Sequence, residues 1–481
     1  MTTTSQVRVR FAPAPTGMMH LGNVRTALMN YLFARQTGGT FILRVEDTDQ
    51  QRNYDPKAEK IIDDLLWLGI DYNQGPVKGG PDAPYFQSQR DSIYLEQLEL
   101  LKKKNLVYRC FCTPEELDKK RQRQIALKLP PRYDRACLDL SATAVAELLA
   151  KQVPHIWRIQ LDQSKEITIH DLARGPITFD IKNFSDFPLT RADGTVTFMF
   201  ANFVDDMLMR ITHVIRGEDH LTNTAGQATL YLAFDQELPT FWHLPIICNA
   251  QGKKLSKRDF GFSLQDLRKT GFLPQAIDNY LAIIGGGTFQ EEIMSLDDLI
   301  KHMNFKTMNS TGHVRYDVEK LRWLNHKWIN RLSNNELTAL CQPLIHAAYP
   351  ESLDLNSKEL EQLVSFIKTD IQTLDDVPGL VKFYFTNPML QRTTIADIIG
   401  SDTIAPVQQL VKEHLALIHN SVEFVSTVKD DAKVNGISVA PVFKFLRLAL
   451  IGNHNGPAIN DIIDMLGAPE SLARIEKAVN L

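Results

Sequence analysis

Val7, Val9 and Phe11 alternate with Arg8 and Arg10, the period of two that a half-buried strand requires, and Pro13, Pro15 and Gly17 then force a loop. Val24, Leu28, Tyr31 and Leu32 fall at helical spacing, and Gly38 with Gly39 offers a stop before the apolar run Phe41 to Val45. The region from Asp55 to Gly69 repeats the helical pattern, with Pro56 suited to a first helical position. Strand, loop, helix and strand in this order predict the first half of a doubly wound α/β sheet, whose ligands bind at the carboxyl ends of its strands.

From about Gly75 to Asp186 the period breaks into helices, around Ile93 to Lys104 and Glu115 to Gln124, and short β-rich runs at Ile156 to Ile159, Ile167 to Ile169 and Ile177 to Ile181. This predicts an inserted α+β domain. Strand patterns return at Val196 to Phe200 and Ile211 to Ile215, followed by a helix near Thr224 to Phe234, so the first sheet is expected to be completed after the insertion. Beyond Gly261 nearly every periodic stretch is helical. The expected divisions are 1–74 and 191–250 for the two halves of the split sheet domain, 75–190 for the insertion, 251–333 for a connecting region and 334–481 for a helical end.

Composition narrows the class without naming a chemistry. At roughly 100 to 200 residues per domain, 481 residues predict about three domains. With 44% apolar and 23% charged residues the chain is neither disordered nor fibrous. The formal net charge of -4 means that any grip on a polyanion comes from local basic patches. Five cysteines are too few for a disulfide scaffold, and Met1 to Arg10 has no apolar core before a cleavage site. No stretch approaches 18 uninterrupted apolar residues, so a soluble, cytoplasmic protein without a membrane partner is expected.

His20 follows the Pro/Gly loop at the mouth of the first helix, where unsatisfied N–H groups and the helix dipole favour an anion; by position alone it is equally a capping residue. Gly252-Lys253-Lys254-Leu255-Ser256-Lys257-Arg258 packs four cations beside a glycine, a composition that clamps a triphosphate or forms a solvated surface loop. The order of Arg10-Phe11-Ala12-Pro13-Ala14-Pro15-Thr16-Gly17, His20-Leu21-Gly22-Asn23 and Lys254-Leu255-Ser256-Lys257-Arg258 on a split α/β fold resembles a class I aminoacyl-tRNA synthetase. Arg25-Thr26-Ala27-Leu28, Glu46-Asp47-Thr48-Asp49, Arg174-Gly175-Pro176-Ile177, Ile211 to His220 and Trp323-Leu324-Asn325-His326 extend it, and the whole chain is similar to the bacterial type of glutamyl-tRNA synthetase.

The resemblance implies a Rossmann-like sheet split by an acceptor-stem-binding insertion, a stem-contact region with the Lys-Leu-Ser-Lys-Arg loop, and a helical anticodon-binding end. It implies ATP with Mg2+ as cosubstrate, L-glutamate and tRNA(Glu) as partners, and a monomer. His20, Asn23, Lys254 and Lys257 would be catalytic, and His20, Gly22, Lys254, Ser256 and Lys257 would hold ATP. Arg10, Ala12, Ala14, Glu46, Phe198, Asn202 and Arg216 match the substrate pocket, with Glu46 facing the α-ammonium. Arg216 is the sharper clue, since the glutaminyl relative carries an uncharged residue there. Asp49 and the basic run through Lys119, Lys120, Arg121 and Arg123 would meet tRNA.

Ala14 and Phe198 stand where the family usually has serine and tyrosine, and Ala225-Gly226 where it commonly has Pro-Arg; the two lost hydroxyls predict weaker glutamate binding. Cys110-Phe111-Cys112, then Tyr133 and Cys137, resemble the zinc-binding part of the insertion in some members, with Asp139 standing where those members have a histidine and expected as the fourth ligand; the alternative is thiols left from a lost site. Alternatives for the whole chain are a paralogue modifying a tRNA base, an enzyme that also or only loads glutamate onto tRNA(Gln), a non-catalytic tRNA-binding descendant, and an unrelated nucleotidylyltransferase.

Overall fold

The computed structural model describes residues 6–49, 53–284, 289, 291–305 and 312–481. β1 (Arg8–Phe11) pairs in parallel with β2 (Thr40–Leu43), with Val9 opposite Phe41, and α1 (Leu21–Thr37) connects them. Gly38 ends α1 at a φ of 63°, donating its N–H to Ala34 and Arg35, a left-handed cap that glycine adopts without strain. Gly39 is equally constrained, because a Cβ there would lie 2.6 Å from the Val7 carbonyl oxygen. α2 spans Glu59–Trp67, three residues later than Pro56 predicted. The Asp55 carboxylate accepts from the N–H groups of Lys60 and Ile61 at 3.0 and 3.2 Å, which moves the start of the helix past the proline.

Next come α3 (Asp91–Lys103), β3 (Val107–Cys110), α4 (Pro114–Ala126), α5 (Ala142–Ala150) and β4 (Ile156–Ile159), with β3 and β4 antiparallel. Thr113 and Glu116 form a reciprocal capping box that starts α4. β5 (Glu166–Asp171) and β6 (Gly175–Asp180) form a hairpin whose Asp171 end pairs in parallel with Phe241. That hairpin extends the sheet formed by β7 (His213–Gly217) and β8 (Thr240–Leu244), in the order β6-β5-β8-β7. Thr212 stitches β1 to the same edge: its Oγ1 accepts from Arg8 N at 2.9 Å and its N donates to Arg8 O at 3.0 Å. The parallel core therefore carries an antiparallel hairpin at its far side.

One expected strand is a helix. Val196 to Phe200 reads as β-rich, but α6 (Phe198–Leu208) begins inside it, and α7 (Leu221–Ala233) packs beside α6. A short apolar run does not separate a strand from a buried helix. The core decides: Phe200, Ala201, Phe203 and Val204 are all fully buried with Tyr94, Leu98 and Val214.

The chain divides into two compact units, residues 1–268 with 274–321, and residues 269–273 with 322–481. The second is helical throughout its described residues, from Asn334–Ala348 to Ala468–Val479, around a core that includes Phe424, Leu446 and Ile475.

Candidate active site

The loop after β1 and the basic loop after β8 meet at the start of α1. Leu21 N donates to Phe262 O at 3.0 Å and Leu264 N to Met19 O at 2.9 Å, which seats the His20 ring on Phe262 with centroids 5.1 Å apart. His20 is the N-cap of α1, its Nδ1 accepting the Asn23 N–H at 3.2 Å. Burial first, and then Lys254, pushes its pKa down against the pull of Asp219. The imidazole is therefore neutral near pH 7, with its proton on Nε2 and that donor left for a ligand. Gly22 lies so close that a Cβ would meet the imidazole at 3.0 Å, so a side chain at that position would displace it.

In the basic loop Leu255 is buried and its N donates to Ile247 O at 2.9 Å. Asp259 braces the turn, accepting from Ser256 N at 2.8 Å, Ser256 Oγ at 2.9 Å and Asn249 Nδ2 at 3.1 Å. Lys254 Nζ reaches Asp219 Oδ2 at 2.9 Å, while Lys257 is exposed and has no partner among the described residues. This leaves Lys257 as the unpaired cation of the two.

A cavity of about 460 Å³ lies between these loops and the carboxyl ends of β1 and β7. Arg10, Ala12, His20, Gly22, Asn23, Glu46, Phe198, Asn202, Arg216, Lys254, Ser256 and Lys257 all line it. Ala14 is exposed and Asp49 half-buried, and neither belongs to its wall. Lys119, Lys120, Arg121 and Arg123 lie on α4, apart from the cavity; Lys120 is paired with Asp134 at 2.9 Å. Lys120 and Arg121 line a second recess of about 380 Å³ with Arg132 and Arg158.

The inner wall is a buried charge network that the sequence reading missed in part. Asp206 on α6 accepts from Arg10 Nε at 3.0 Å and from Arg44 Nη1 at 2.7 Å. Against burial, which would raise it, these two arginines hold the Asp206 carboxyl below its ordinary value. Asp205 beside it takes Arg90 Nε at 2.7 Å, Gln87 at 2.8 Å and the Tyr94 hydroxyl at 2.9 Å. The available signal was the pair Asp205-Asp206 on a helix that is apolar but for Asn202, since buried carboxylates demand partners.

Arg216 differs from Arg10. It is 6% exposed, and its Nη2 donates to two neutral acceptors, Thr224 Oγ1 and Gln227 Oε1, both at 2.7 Å. Gln227 Nε2 donates in turn to Asn202 Oδ1 at 2.7 Å, and Asn202 Nδ2 to Glu46 Oε1. Burial, then repulsion by Arg10, lowers the Arg216 pKa to about 10, so the guanidinium remains charged at neutral pH. Burial likewise raises the Glu46 carboxyl, against the pull of Arg44 and Arg10. A cation and a carboxylate thus stand at two points of one cavity, joined by a chain of amides. The arrangement suits a small zwitterion with an anionic side chain beside a polyphosphate.

Cys110, Cys112 and Cys137 bring their sulfurs within 4.8 Å of one another, with Cys112 and Cys137 at 3.6 Å. A tetrahedral zinc with Zn–S bonds of about 2.3 Å separates its sulfurs by about 3.8 Å, so the donor set fits. Asp139 is exposed and lies outside this cluster. The Tyr133 phenol oxygen lies beside the sulfurs, 3.3 Å from Cys110 Sγ and 4.0 Å from Cys112 Sγ, and the Cys137 N–H donates to it at 3.1 Å.

Comparison with known proteins follows the same division. The family described as "tRNA synthetases class I (E and Q), catalytic domain" matches residues 6–323, and "Anticodon binding domain" matches residues 336–479. A glutamate–tRNA ligase of Finegoldia magna is 35% identical, covering 99% of this chain and all of that protein, and one of Anaeromyxobacter dehalogenans is 36% identical over 98% of each. The crystal structure of a glutamate tRNA ligase from Elizabethkingia meningosepticum, in complex with its amino acid, superposes with a TM-score of 0.87 at 34% identity, covering 99% of each chain. Matched over nearly its whole length in sequence and in fold, the chain belongs to the glutamate–tRNA ligase family of class I tRNA synthetases.

Proposed function

We propose that the protein activates L-glutamate with ATP and transfers the glutamyl group to the 3' end of tRNA(Glu). The observation that carries this reading is Arg216, a buried guanidinium with no carboxylate partner, in the same cavity as His20 and Lys257. In the first step an oxygen of the glutamate α-carboxylate bonds to the α-phosphorus of ATP and pyrophosphate leaves. In the second a terminal ribose hydroxyl of tRNA attacks the acyl carbon, losing its proton, and AMP leaves. Glu46 receives the α-ammonium and Arg216 the side-chain carboxylate, while His20 Nε2–H, Lys254 and Lys257 neutralise the triphosphate as charge shifts to the leaving group. Magnesium accompanying ATP would supply further charge neutralisation. The protein's own contribution is orientation and preorganised charge, with no covalent enzyme intermediate.

The anticodon-binding match over residues 336–479 supports a partner that is a whole tRNA and disfavours the base-modifying paralogue, which resembles the catalytic half alone. No observation favours a tRNA(Gln)-charging enzyme or a non-catalytic descendant. Arg121, Arg123 and Lys119, exposed on α4, would face the acceptor arm. Zinc held by Cys110, Cys112 and Cys137, with the Tyr133 oxygen at the fourth corner, would brace the insertion, its role structural. No helix among the described residues is long and apolar enough to cross a membrane; a cytoplasmic monomer completes the reading. The test is ATP- and glutamate-dependent charging of purified tRNA(Glu) and tRNA(Gln) side by side. Charging of tRNA(Glu) alone is expected; charging of neither while tRNA still binds would overturn the catalytic reading.

A further inference from the structure

Behind Arg216 lies a second buried chain of groups that the reaction does not touch. Asp171 at the end of β5 and His243 on β8 are both fully buried. Asp171 Oδ1 accepts from Ala173 N and Arg174 N, each at 3.0 Å; Oδ2 accepts from His243 N at 3.1 Å and lies 2.7 Å from His243 Nδ1. Three backbone N–H groups, those of Ala173, Arg174 and His243, keep this carboxylate an acceptor, so the imidazole proton sits on Nδ1. Nε2 is then an acceptor, and it lies 2.8 Å from Thr224 Oγ1.

The polarity of the rest follows. Thr224 has one hydroxyl hydrogen, and Nε2 at 2.8 Å takes it in preference to the His220 carbonyl oxygen at 3.2 Å. Only lone pairs of Oγ1 are left for Arg216 Nη2 at 2.7 Å. The second Nη2 hydrogen goes to Gln227 Oε1, whose amide is itself fixed by Asn202. Nη2 is thus committed from behind, and Nε is buried without a partner, so Nη1, which donates to no protein acceptor among the described residues, is the donor left for a ligand. A carboxylate satisfies such a terminus. A carboxamide of the same shape brings N–H groups that find no acceptor there.

We propose that Asp171 and His243, acting through Thr224, are positioning residues for Arg216, and that this buried relay sets the preference for a carboxylate over a carboxamide at the end of the amino-acid side chain. The role rests on the glutamate reading given above. It predicts that removing one hydroxyl at position 224 changes which amino acid the cavity prefers, while ATP binding stays as it was.

The full-length enzyme is assayed by charging of tRNA(Glu), recording kcat, KM for glutamate, KM for ATP and the inhibition constant of L-glutamine. Thr224→Val is expected to raise KM for glutamate about tenfold, with kcat and KM for ATP within about twofold, and to cut the glutamate-over-glutamine affinity ratio by about tenfold or more. Thr224→Ser, which restores the hydroxyl, is expected to recover the ratio, and Asp171→Asn, which reverses the imidazole tautomer, to lower it. Should Thr224→Val fail to fold, Thr224→Ala is read in the same way. A wild-type enzyme that charges no glutamate overturns the glutamate reading and this proposal with it. A wild type that charges glutamate, with the affinity ratio unchanged in the position-224 variants or in Asp171→Asn, overturns the positioning role alone, as does an equal shift in kcat and both KM values.

Discussion

Arg10 and Asp206 face each other from β1 and α6 with Nε 3.0 Å from Oδ1 and Nη2 3.2 Å from Oδ2, both side chains at most 5% exposed. The two-point contact engages one edge of the Arg10 guanidinium, and its Nη1 is 3.4 Å from the Ile215 carbonyl oxygen. Arg10 therefore shapes the pocket as half of an ion pair, whereas Arg216 is bound only to neutral acceptors, which is why the proposed function gives it the incoming carboxylate.

The two arginines should fail differently. Arg216→Gln is expected to raise KM for glutamate by about a hundredfold, the loss of a charge-assisted contact of roughly 3 kcal/mol, and to leave KM for ATP within a few fold. Steady-state charging with each substrate varied in turn separates the two. Asp206→Asn should instead lower stability by roughly 3 to 5 kcal/mol, because it leaves Arg10 and Arg44 buried with one charge removed, and denaturant unfolding measures that loss.

The same pair makes stability depend on acid. The folded Asp206 pKa lies below its unfolded value, so its contribution is fully present above the unfolded value of about 3.9 and is lost as pH falls through the lower folded value. Thermal unfolding followed from pH 6 down to pH 3 should show a falling Tm that steepens below about pH 4, with the slope reduced in Asp206→Asn.

Lys257→Ala should lower kcat by at least about a hundredfold with KM for glutamate little changed, since the proposed function sets this exposed ammonium against the phosphates and not the amino acid. Single-turnover formation of the adenylate in the presence of tRNA reads the step directly. An unchanged rate would remove Lys257 from the chemistry.

Of the two missing hydroxyls only one has a site to act in. Phe198 lines the cavity with its ring 6.2 Å from that of His220, while Ala14 is exposed outside the wall. Phe198→Tyr is expected to lower KM for glutamate severalfold, the worth of one neutral hydrogen bond of about 1 kcal/mol, and Ala14→Ser to change it less than twofold.

Protein prepared without chelator should contain close to one zinc per chain by elemental analysis. Tyr133→Phe should keep the thiolates but release metal faster to a chelator than wild type, and Asp139→Ala should not. Substoichiometric zinc in wild type would refute the ligand reading.

The order of strands, helices and signature loops was legible in the sequence because each follows from local periodicity and from turn residues that act within a few positions. The resemblance carried by their surrounding motifs also singled out His20, Glu46, Arg216, Lys254 and Lys257, which the fold brings to one cavity. What tertiary structure alone decided is how these groups are committed. The run Val196 to Phe200 became the start of a helix because the core around Tyr94 and Val214 accepts Phe200, Phe203 and Val204 on one side. The resemblance marks Arg216 as the sharper clue of the two arginines but does not give their partners: one meets Asp206 and the other Thr224 and Gln227. Asp139 is nearer to Cys137 in sequence than Tyr133 is, yet the fold brings the phenol, not the carboxylate, to the sulfurs. Asp206 lies 196 residues from Arg10, and even Thr224 and Gln227, 8 and 11 residues beyond Arg216, sit on another element, so no helix or strand period encodes these partners. Burial selects them, because a charge or polar group removed from water must be satisfied by whatever the folded chain places beside it.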